Sequence, residues 1–328
     1  KAVVLDANNQ LVLSEDATIN GLTVGKGANS AGTNTAFGVS ALTANTTGGD
    51  NVAVGFQALT ANTTGFVNVA VGRQALQYNT TGTYNTALGH ASLAANTTGR
   101  FSIAVGAFSL QDNTTGETNT AVGYTALANN TTASDNSAVG YQALFNNTTG
   151  ISNSAFGNQA LADNTTANDN TAIGRAALRF NTTGTFNTAL GFQSLYSNTT
   201  ASNNTAVGYQ ALYANTTGTA NVALGHVAMS STTTGGFNTA LGFAALADNT
   251  SGNNLVAVGQ SALADNTTGL YNVAVGANAL RLNTTASNNT ALGRLALFSN
   301  TTASNNVAVG YQSLYSNTTG GNLTAIGY

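Results

Sequence analysis

Residues 204–220 read Asn-Thr-Ala-Val-Gly-Tyr-Gln-Ala-Leu-Tyr-Ala-Asn-Thr-Thr-Gly-Thr-Ala, and this stretch is one copy of a 17-residue block that fills most of the chain. The first block begins at Asn34, the block repeats 17 times without an insertion or deletion, and an eighteenth copy starts at Leu323. A strict period of this length predicts a solenoid, in which each unit buries its apolar surface only against the units above and below it.

The composition restricts the classes of function that the chain can have. Only 6% of its 328 residues are charged, and the net charge is −3, so we expect no nucleic-acid surface. The 42% of apolar residues recur periodically, which favours order over disorder. No apolar run reaches the length of a membrane span. Cys and Pro are absent, and the lack of Pro suits an unbroken hydrogen-bond ladder.

Several positions of the block, numbered from its first Asn, are almost uniform within the chain. Position 3 is Ala and position 5 is Gly in all 18 copies, and position 4 is always Val, Leu, Ile or Phe. Position 9 is Leu in 16 of 17 copies, with Met229 as the exception, and position 12 is Asn in 16 of 17, with Thr232 as the exception. We expect these positions to be structural, and in the first copy they are Ala36, Gly38, Leu42, Asn45 and Thr46.

The block predicts an all-β fold, a parallel β-solenoid (β-roll or β-helix) of 17-residue coils. Positions 2–4 favour a strand that ends at the glycine. Positions 6–11 fit either a second strand or one helical turn. Positions 12–15 are typical of a turn, with Asn and Gly tolerating positive φ.

Residues 1–33 lie outside the repeat. We expect strands at 3–5 and 11–13 there, in a segment that caps or initiates the solenoid of residues 34–328.

Side-chain alternation leaves two arrangements of the coil open. If positions 4 and 9 fill the interior, Ala at position 3 points outward, and its uniformity would indicate close packing against other chains, as an intertwined or side-by-side homotrimer. The alternative is a monomeric coil with a cross-section so narrow that Ala at position 3 is inside. The repeat runs to the end of the chain without a polar cap, which indicates either a truncated chain or head-to-tail growth into an axial polymer.

Nothing in the sequence indicates an enzyme, a cofactor or a metal site. The 11 acidic residues are scattered, His90 and His226 lie eight coils apart, and no metal-binding spacing occurs. Position 6 carries aromatic residues and Arg, which either pack between coils or chains, or stack on surface glycans. The stripe considered for a ligand or interchain contact comprises Phe56, Arg73, Tyr124, Tyr141, Arg175, Tyr209 and Tyr311.

The Asn-Thr-Thr triplets at positions 12–14 allow three interpretations. Stacked Asn side chains form amide ladders, which is the interpretation that we favour. The same triplets, 16 in number if Asn249-Thr250-Ser251 is included, are N-glycosylation sequons. A flat Asn and Thr face would also suit an ice-binding solenoid, provided that positions 12–15 form a strand.

Residues 19–27, Ile-Asn-Gly-Leu-Thr-Val-Gly-Lys-Gly, lead into residues 34–38, Asn-Thr-Ala-Phe-Gly, and then into the repeats. This arrangement resembles the repeats of trimeric, phage-tail-fibre-like proteins. More distantly, residues 204–208 are similar to the Asn-Ser-Val-Ala-Ile-Gly repeat of trimeric autotransporter adhesin heads. The resemblance implies three chains in a left-handed parallel β-roll, with a role in surface attachment or receptor binding. The adhesin repeat is shorter than the present one, and no binding residue is transferred.

Together these features predict a structural protein that forms a stiff extracellular fibre and whose partners are further copies of itself. The expected location is extracellular, at the cell surface or in a virion fibre. The rival hypothesis is the shaft of an adhesin or phage tail fibre that binds cell-surface glycans through the position-6 stripe.

Overall fold

The computed structural model describes residues 17–19, 22–28 and 33–328. The predicted strands at 3–5 and 11–13 lie outside the described residues. The density of internal contacts divides the chain into two units, Lys1–Thr149 and Gly150–Tyr328. Throughout the described part the regular structure consists of strands alone, which confirms the prediction of an all-β parallel solenoid with 17-residue coils. In that part, no helix has the length and apolar character needed to cross a membrane.

The first unit contains two antiparallel strand pairings followed by a parallel stack. Strand β2 pairs with β1 on one side and with β3 on the other, both antiparallel, and each strand from β3 to β8 then pairs parallel with the next. The strands are β1 (Ala17–Ile19), β2 (Leu22–Gly25), β3 (Thr35–Gly38), β4 (Val52–Val54), β5 (Val69–Val71), β6 (Thr86–Leu88), β7 (Ile103–Val105), β8 (Thr120–Val122) and β9 (Ser137–Val139).

The second unit is a parallel stack throughout its length. Each strand pairs with the next at an offset of one block, so that Ala206 lies opposite Ala223 and Val207 opposite Leu224. The strands are β10 (Ser154–Phe156), β11 (Thr171–Ile173), β12 (Thr188–Leu190), β13 (Thr205–Val207), β14 (Val222–Leu224), β15 (Thr239–Leu241), β16 (Val256–Val258), β17 (Val273–Val275), β18 (Thr290–Leu292), β19 (Val307–Val309) and β20 (Thr324–Ile326).

The interior of the coil is too narrow for the arrangement in which positions 4 and 9 fill it and Ala at position 3 points outward. Ala206 at position 3 is fully buried together with Ala211 at position 8 and Leu212 at position 9, whereas the position-4 side chains point outward. The expectation that position 4 fills the interior and position 3 faces a neighbouring chain is therefore wrong. Ala is uniform at position 3 because a strand side chain that faces so narrow a core must be small.

Positions 6–11 form consecutive turns rather than the second strand or helical turn that the sequence allowed. Gln210 at position 7 and Leu212 at position 9 both adopt left-handed φ values, 50° and 53°. Each such residue costs about 1 kcal/mol in backbone energy, which burial of the Leu side chain offsets. Their amides donate to carbonyls of adjacent coils, as Leu212 N does to Ala228 O at 2.9 Å.

Positive φ also occurs at positions 5 and 17. The Asn at position 12 and the Gly at position 15, where the sequence suggested positive φ, do not adopt it. Gly208 at position 5 has φ 134°, a conformation essentially restricted to glycine. An added Cβ on Gly208 would lie 2.4 Å from the carbonyl oxygen of Gly225 in the next coil. Glycine is therefore required at position 5 by both its backbone conformation and its close contact with the next coil.

Candidate functional site

The Asn side chains at position 12 form an amide ladder inside each unit, with one interruption in the second unit at Thr232. Asn198 Nδ2 donates to Asn181 Oδ1 at 2.7 Å and to the carbonyl of Ala201 at 3.0 Å, and Asn215 Nδ2 donates to Asn198 Oδ1 at 2.9 Å. In the first unit, Asn62 Nδ2 donates to Asn45 Oδ1 at 3.0 Å. A buried amide that makes several hydrogen bonds is strongly specified by its surroundings, which accounts for the near uniformity of this position.

A second ladder, at position 1, was not anticipated from the sequence. Asn204 Oδ1 accepts from the backbone N–H of Asn221 at 3.0 Å, and Asn204 Nδ2 donates to the carbonyl of Gly218 at 2.9 Å. Position 1 is Asn in 15 of 18 copies, and this near uniformity is the sequence feature that could have indicated the ladder. The position-1 ladder thus ties the strand of each coil to the strand of the adjacent coil and to its own position-15 turn.

The position-12 ladder is interrupted where Thr232 replaces Asn. Asn249 Nδ2 reaches the Thr232 hydroxyl only at 3.4 Å, and Asn215 Oδ1, on the other side, is a buried acceptor without a hydrogen-bond partner. Thr232 has no amide N–H₂ group to donate to Asn215, so the missing bond follows directly from the substitution.

The ladder buries 15 of the 16 sequon asparagines, all except Asn317, so that a glycan cannot be attached to them in the folded chain. The glycan bond forms at Asn Nδ2, and in Asn198 this atom is buried and already donates twice.

Asn198 points into the coil whereas Thr200 at position 14 is exposed, so the two do not share a flat surface. The Asn and Thr face required for ice binding is not formed.

The outward face of the strands carries one apolar side chain in every coil, at position 4, beside a position-2 side chain that is Thr or Ser in 11 of 18 copies. We call the position-4 side chains the position-4 row; in the second unit this row runs from Phe156 to Ile326. An apolar side chain on the outward face of every coil, half-buried in some coils and exposed in others, is unusual for an isolated sheet, whose solvent face normally carries polar residues. Its most exposed members in the second unit, each at least 41% exposed, are Phe156, Ile173, Leu190, Leu224, Leu292 and Ile326.

The position-6 stripe packs along the stack through its ring faces. In the second unit, Arg175 lies 5.7 Å from the ring centroid of Phe192, and the rings of Phe192, Tyr209, His226 and Phe243 are stacked with centroids 4.9–5.4 Å apart. The same pattern places Arg73 over Phe56, Tyr124 against Tyr141, and Arg294 over Tyr311. These contacts contribute about 0.5–1.5 kcal/mol per aromatic pair to holding adjacent coils together.

Titratable groups are sparse, and in the described part of the chain no three His, Asp or Glu side chains are grouped as a metal site would need. Arg100 Nε lies 3.2 Å from Glu117 Oε1 in an exposed ion pair. Burial raises the pKa of Asp265, an effect opposed by the positive charge of Arg281 and reinforced by the negative charge of Asp248 in the adjacent coil.

Comparison with known proteins gives no relative from which a function could be inferred, so the function is inferred from the geometry that the coils share. A scan against protein-family models gives no match, and a search of curated proteins gives no significant match. The repetitive solenoid is compatible with a structural, fibre-like protein.

Proposed function

We propose that this chain is a structural subunit of a stiff extracellular fibre, in which copies of the chain associate laterally through the position-4 row. The observation that carries the proposal is that the coils pair their backbone and Asn amide groups with one another, with Asn215 Oδ1 as an exception, yet leave an apolar position-4 side chain at least partly in water. A threefold arrangement, as in the trimeric fibres that the repeat resembles, is the proposed copy number.

The proposed mechanism is mechanical and not catalytic. Each coil is joined to its neighbours by the strand pairing, by turn hydrogen bonds such as Thr216 N to Thr233 O at 2.9 Å, and by the two Asn ladders. Bending or opening one coil breaks several of these bonds together. Because the same bonds recur in every block, the stack resists deformation along the whole length of each unit.

The position-4 row is large enough to drive association. Its six most exposed members in the second unit leave the equivalent of about three apolar side chains in water. Covering that surface would contribute roughly 4.5–9 kcal/mol, from about 1.5–3 kcal/mol per fully buried side chain. This gain is comparable with the entropy cost of association, about 4–15 kcal/mol, and the first unit carries the same row.

Further copies of this chain are the partners that best fit the row. The row repeats at the 17-residue spacing of the coils, so parallel copies in register would match Val, Leu, Ile and Phe at every level. A chain with 6% charged residues and a net charge of −3 also opposes the approach of its own copies only weakly.

The test is the mass of the native assembly, measured by native mass spectrometry and analytical ultracentrifugation. We expect three copies for the unmodified chain and dissociation when Leu190, Leu224 and Leu292 are changed together to Gln. The matched control changes three aromatic residues outside the row that are more exposed than these leucines, Phe186→Ser, Phe237→Asn and Tyr271→Asn, and should keep the assembly.

A monomeric unmodified chain would refute lateral association, and a dimer would refute the threefold arrangement alone. Electron microscopy of the same samples tests axial growth, because end-to-end joining gives filaments longer than one chain. An extracellular or surface location is part of the proposal and rests on the resemblance to surface fibres; surface labelling of the intact source tests it.

The rival function, glycan binding through the position-6 stripe, receives less support from the geometry. Tyr209 lies between Phe192 and His226 with ring planes within 13° of parallel, so its faces are turned towards its neighbours. Sugar rings stack on aromatic faces, which here are engaged within the chain. Binding to a glycan array that is lost when Tyr124, Tyr141 and Tyr209 become Ser would restore this alternative.

A further inference from the structure

Three aromatic side chains on consecutive coils of the first unit form a cluster that departs from the position-6 pattern. Phe66 at position 16 and Tyr84 at position 17 have ring centroids 5.3 Å apart with their planes at 75°, and Tyr84 stacks on Phe101 at 5.3 Å and 14°. Phe66 and Tyr84 therefore meet edge to face, whereas Tyr84 and Phe101 meet face to face. All three side chains are exposed, by 41% to 52%.

The fold does not require aromatic residues at these places. Position 17 adopts a left-handed backbone in every coil, for example in Tyr84 at φ 59° and Phe101 at φ 57°. Asn, Asp and Ser occupy it in most other copies and suit that conformation better. Large rings at position 17 therefore bring a backbone cost without a contribution to the coil interior. Only Tyr84 and Phe101 place such rings on adjacent coils, which sets this cluster apart from the isolated rings elsewhere at position 17.

The cluster borders a groove with a volume of about 340 Å³. The three rings line one part of it, and the rest is lined by Thr81, Thr83, Thr98 and Arg100. Arg100 is held by its ion pair with Glu117, so the groove carries a guanidinium whose charge is balanced nearby. An apolar wall beside a few hydroxyl and N–H donors is typical of a small-molecule site, and the volume is at the lower end for such sites.

We propose that this groove binds a short, uncharged saccharide. A pyranose ring presents an apolar C–H face, which packs on an aromatic ring, and a rim of hydroxyls, which pair with threonine hydroxyls and with a guanidinium or carboxylate. The balanced Arg100–Glu117 pair favours a neutral sugar over an anionic one. The groove uses positions 14, 16 and 17 and none of the position-4 row, so the site goes beyond the proposed structural function.

Saturation-transfer NMR and isothermal titration with cellobiose, lactose and N,N′-diacetylchitobiose test the proposal on the full chain. We expect at least one of the three to bind with a millimolar dissociation constant, with transfer from aromatic protons. The double variant Tyr84→Asn and Phe101→Thr should weaken that binding at least tenfold. Both replacements occur naturally at position 17, as Asn254 and Thr118, so the coils should be preserved.

The matched control makes the same two replacements in the second unit, at Tyr271→Asn and Phe186→Thr, and should leave the affinity within about twofold of the unmodified value. The proposal is overturned if none of the three sugars binds below about 20 mM, a concentration well above the expected constant. It is also overturned if the double variant binds as tightly as the control. The native mass, recorded for every sample, reports on the proposed lateral assembly separately.

Discussion

Restoring the interrupted position-12 ladder should stabilise the protein. Thr232 leaves Asn215 Oδ1 buried without a hydrogen bond, and Asn at the same position in neighbouring coils donates at 2.7–3.0 Å, as from Asn198 to Asn181 and from Asn266 to Asn249. We therefore expect Thr232→Asn to supply the missing donor without a change in the backbone.

The magnitude follows from the cost of a buried, unsatisfied polar atom. That cost is about 1–3 kcal/mol, and the substitution also replaces the 3.4 Å contact between Asn249 and Thr232 by an amide bond of normal length. A gain of about 1–3 kcal/mol corresponds to roughly a 5- to 150-fold change in a local opening equilibrium.

Native-state hydrogen exchange is the appropriate assay because opening in a repeat protein is local. The reporters are the amides of Thr216 and Thr233, which donate to the next coil at 2.9 Å on either side of the defect. Their protection should rise in Thr232→Asn. The same replacement at exposed Thr234 should change the local opening free energy by less than about 0.5 kcal/mol.

The reverse substitution provides an independent check. Asn198→Thr should recreate the defect by depriving Asn181 Oδ1 of its donor, and should lower protection in that coil by a similar factor. If Thr232→Asn leaves exchange unchanged, or if Thr232→Asn and Thr234→Asn have equal effects, then the ladder does not carry the stability assigned to it here.

Three other predictions follow from the geometry of single positions. Gly208→Ala should cost more than about 3 kcal/mol in thermal or chemical unfolding, whereas Gly218→Ala should cost less than about 1 kcal/mol. Both sites are crowded, but only Gly208 has a glycine-only φ, and five coils already carry Ala at the position of Gly218; equal losses would contradict this explanation. Because burial raises the folded-state pKa of Asp265, the stability due to its protonated form is present below the unfolded pKa and is lost as pH rises through the folded pKa. Asp265→Asn should therefore have the higher melting temperature near pH 7 and lose that advantage towards pH 3, and a pH-independent difference would argue against it. Finally, when the chain is produced in a glycosylating host, intact-mass analysis of the folded fraction should find Asn198 unmodified, since its Nδ2 is buried and donates twice; a glycan there in folded protein would refute the ladder.

The 17-residue period was sufficient to determine the architecture. It established a stack of coils, with a strand at positions 2–4 and a glycine after it, because equivalent positions in a stack meet equivalent surroundings. The Asn ladder at position 12 was also predictable, since a buried amide in register with itself can pair with the coil on either side. The structural roles assigned to Leu42, Asn45 and their equivalents rest on this same regularity.

The orientation of each side chain was decided only by the tertiary structure. Alternation shows that positions 3 and 4 lie on opposite faces, but not which face is inside. The narrow interior, filled by Ala206, Ala211 and Leu212 together with two Asn ladders, admits the small residue and turns the large one outward. The left-handed turns at positions 7 and 9 were also hidden, because Gln and Leu are not residues whose local preference indicates that conformation.

The two proposed functional surfaces also depend on which side chains face the interior of the coil. The sequence shows that position 4 is uniformly apolar, but position 4 can serve as the proposed association surface only because the interior is filled without it. The cluster of Phe66, Tyr84 and Phe101 spans positions that vary freely among the coils, so no pattern in the repeat marked it. The sequence by itself therefore determined the repeating hydrogen-bond framework, whereas the size of the coil interior decided which apolar residues remain on the surface.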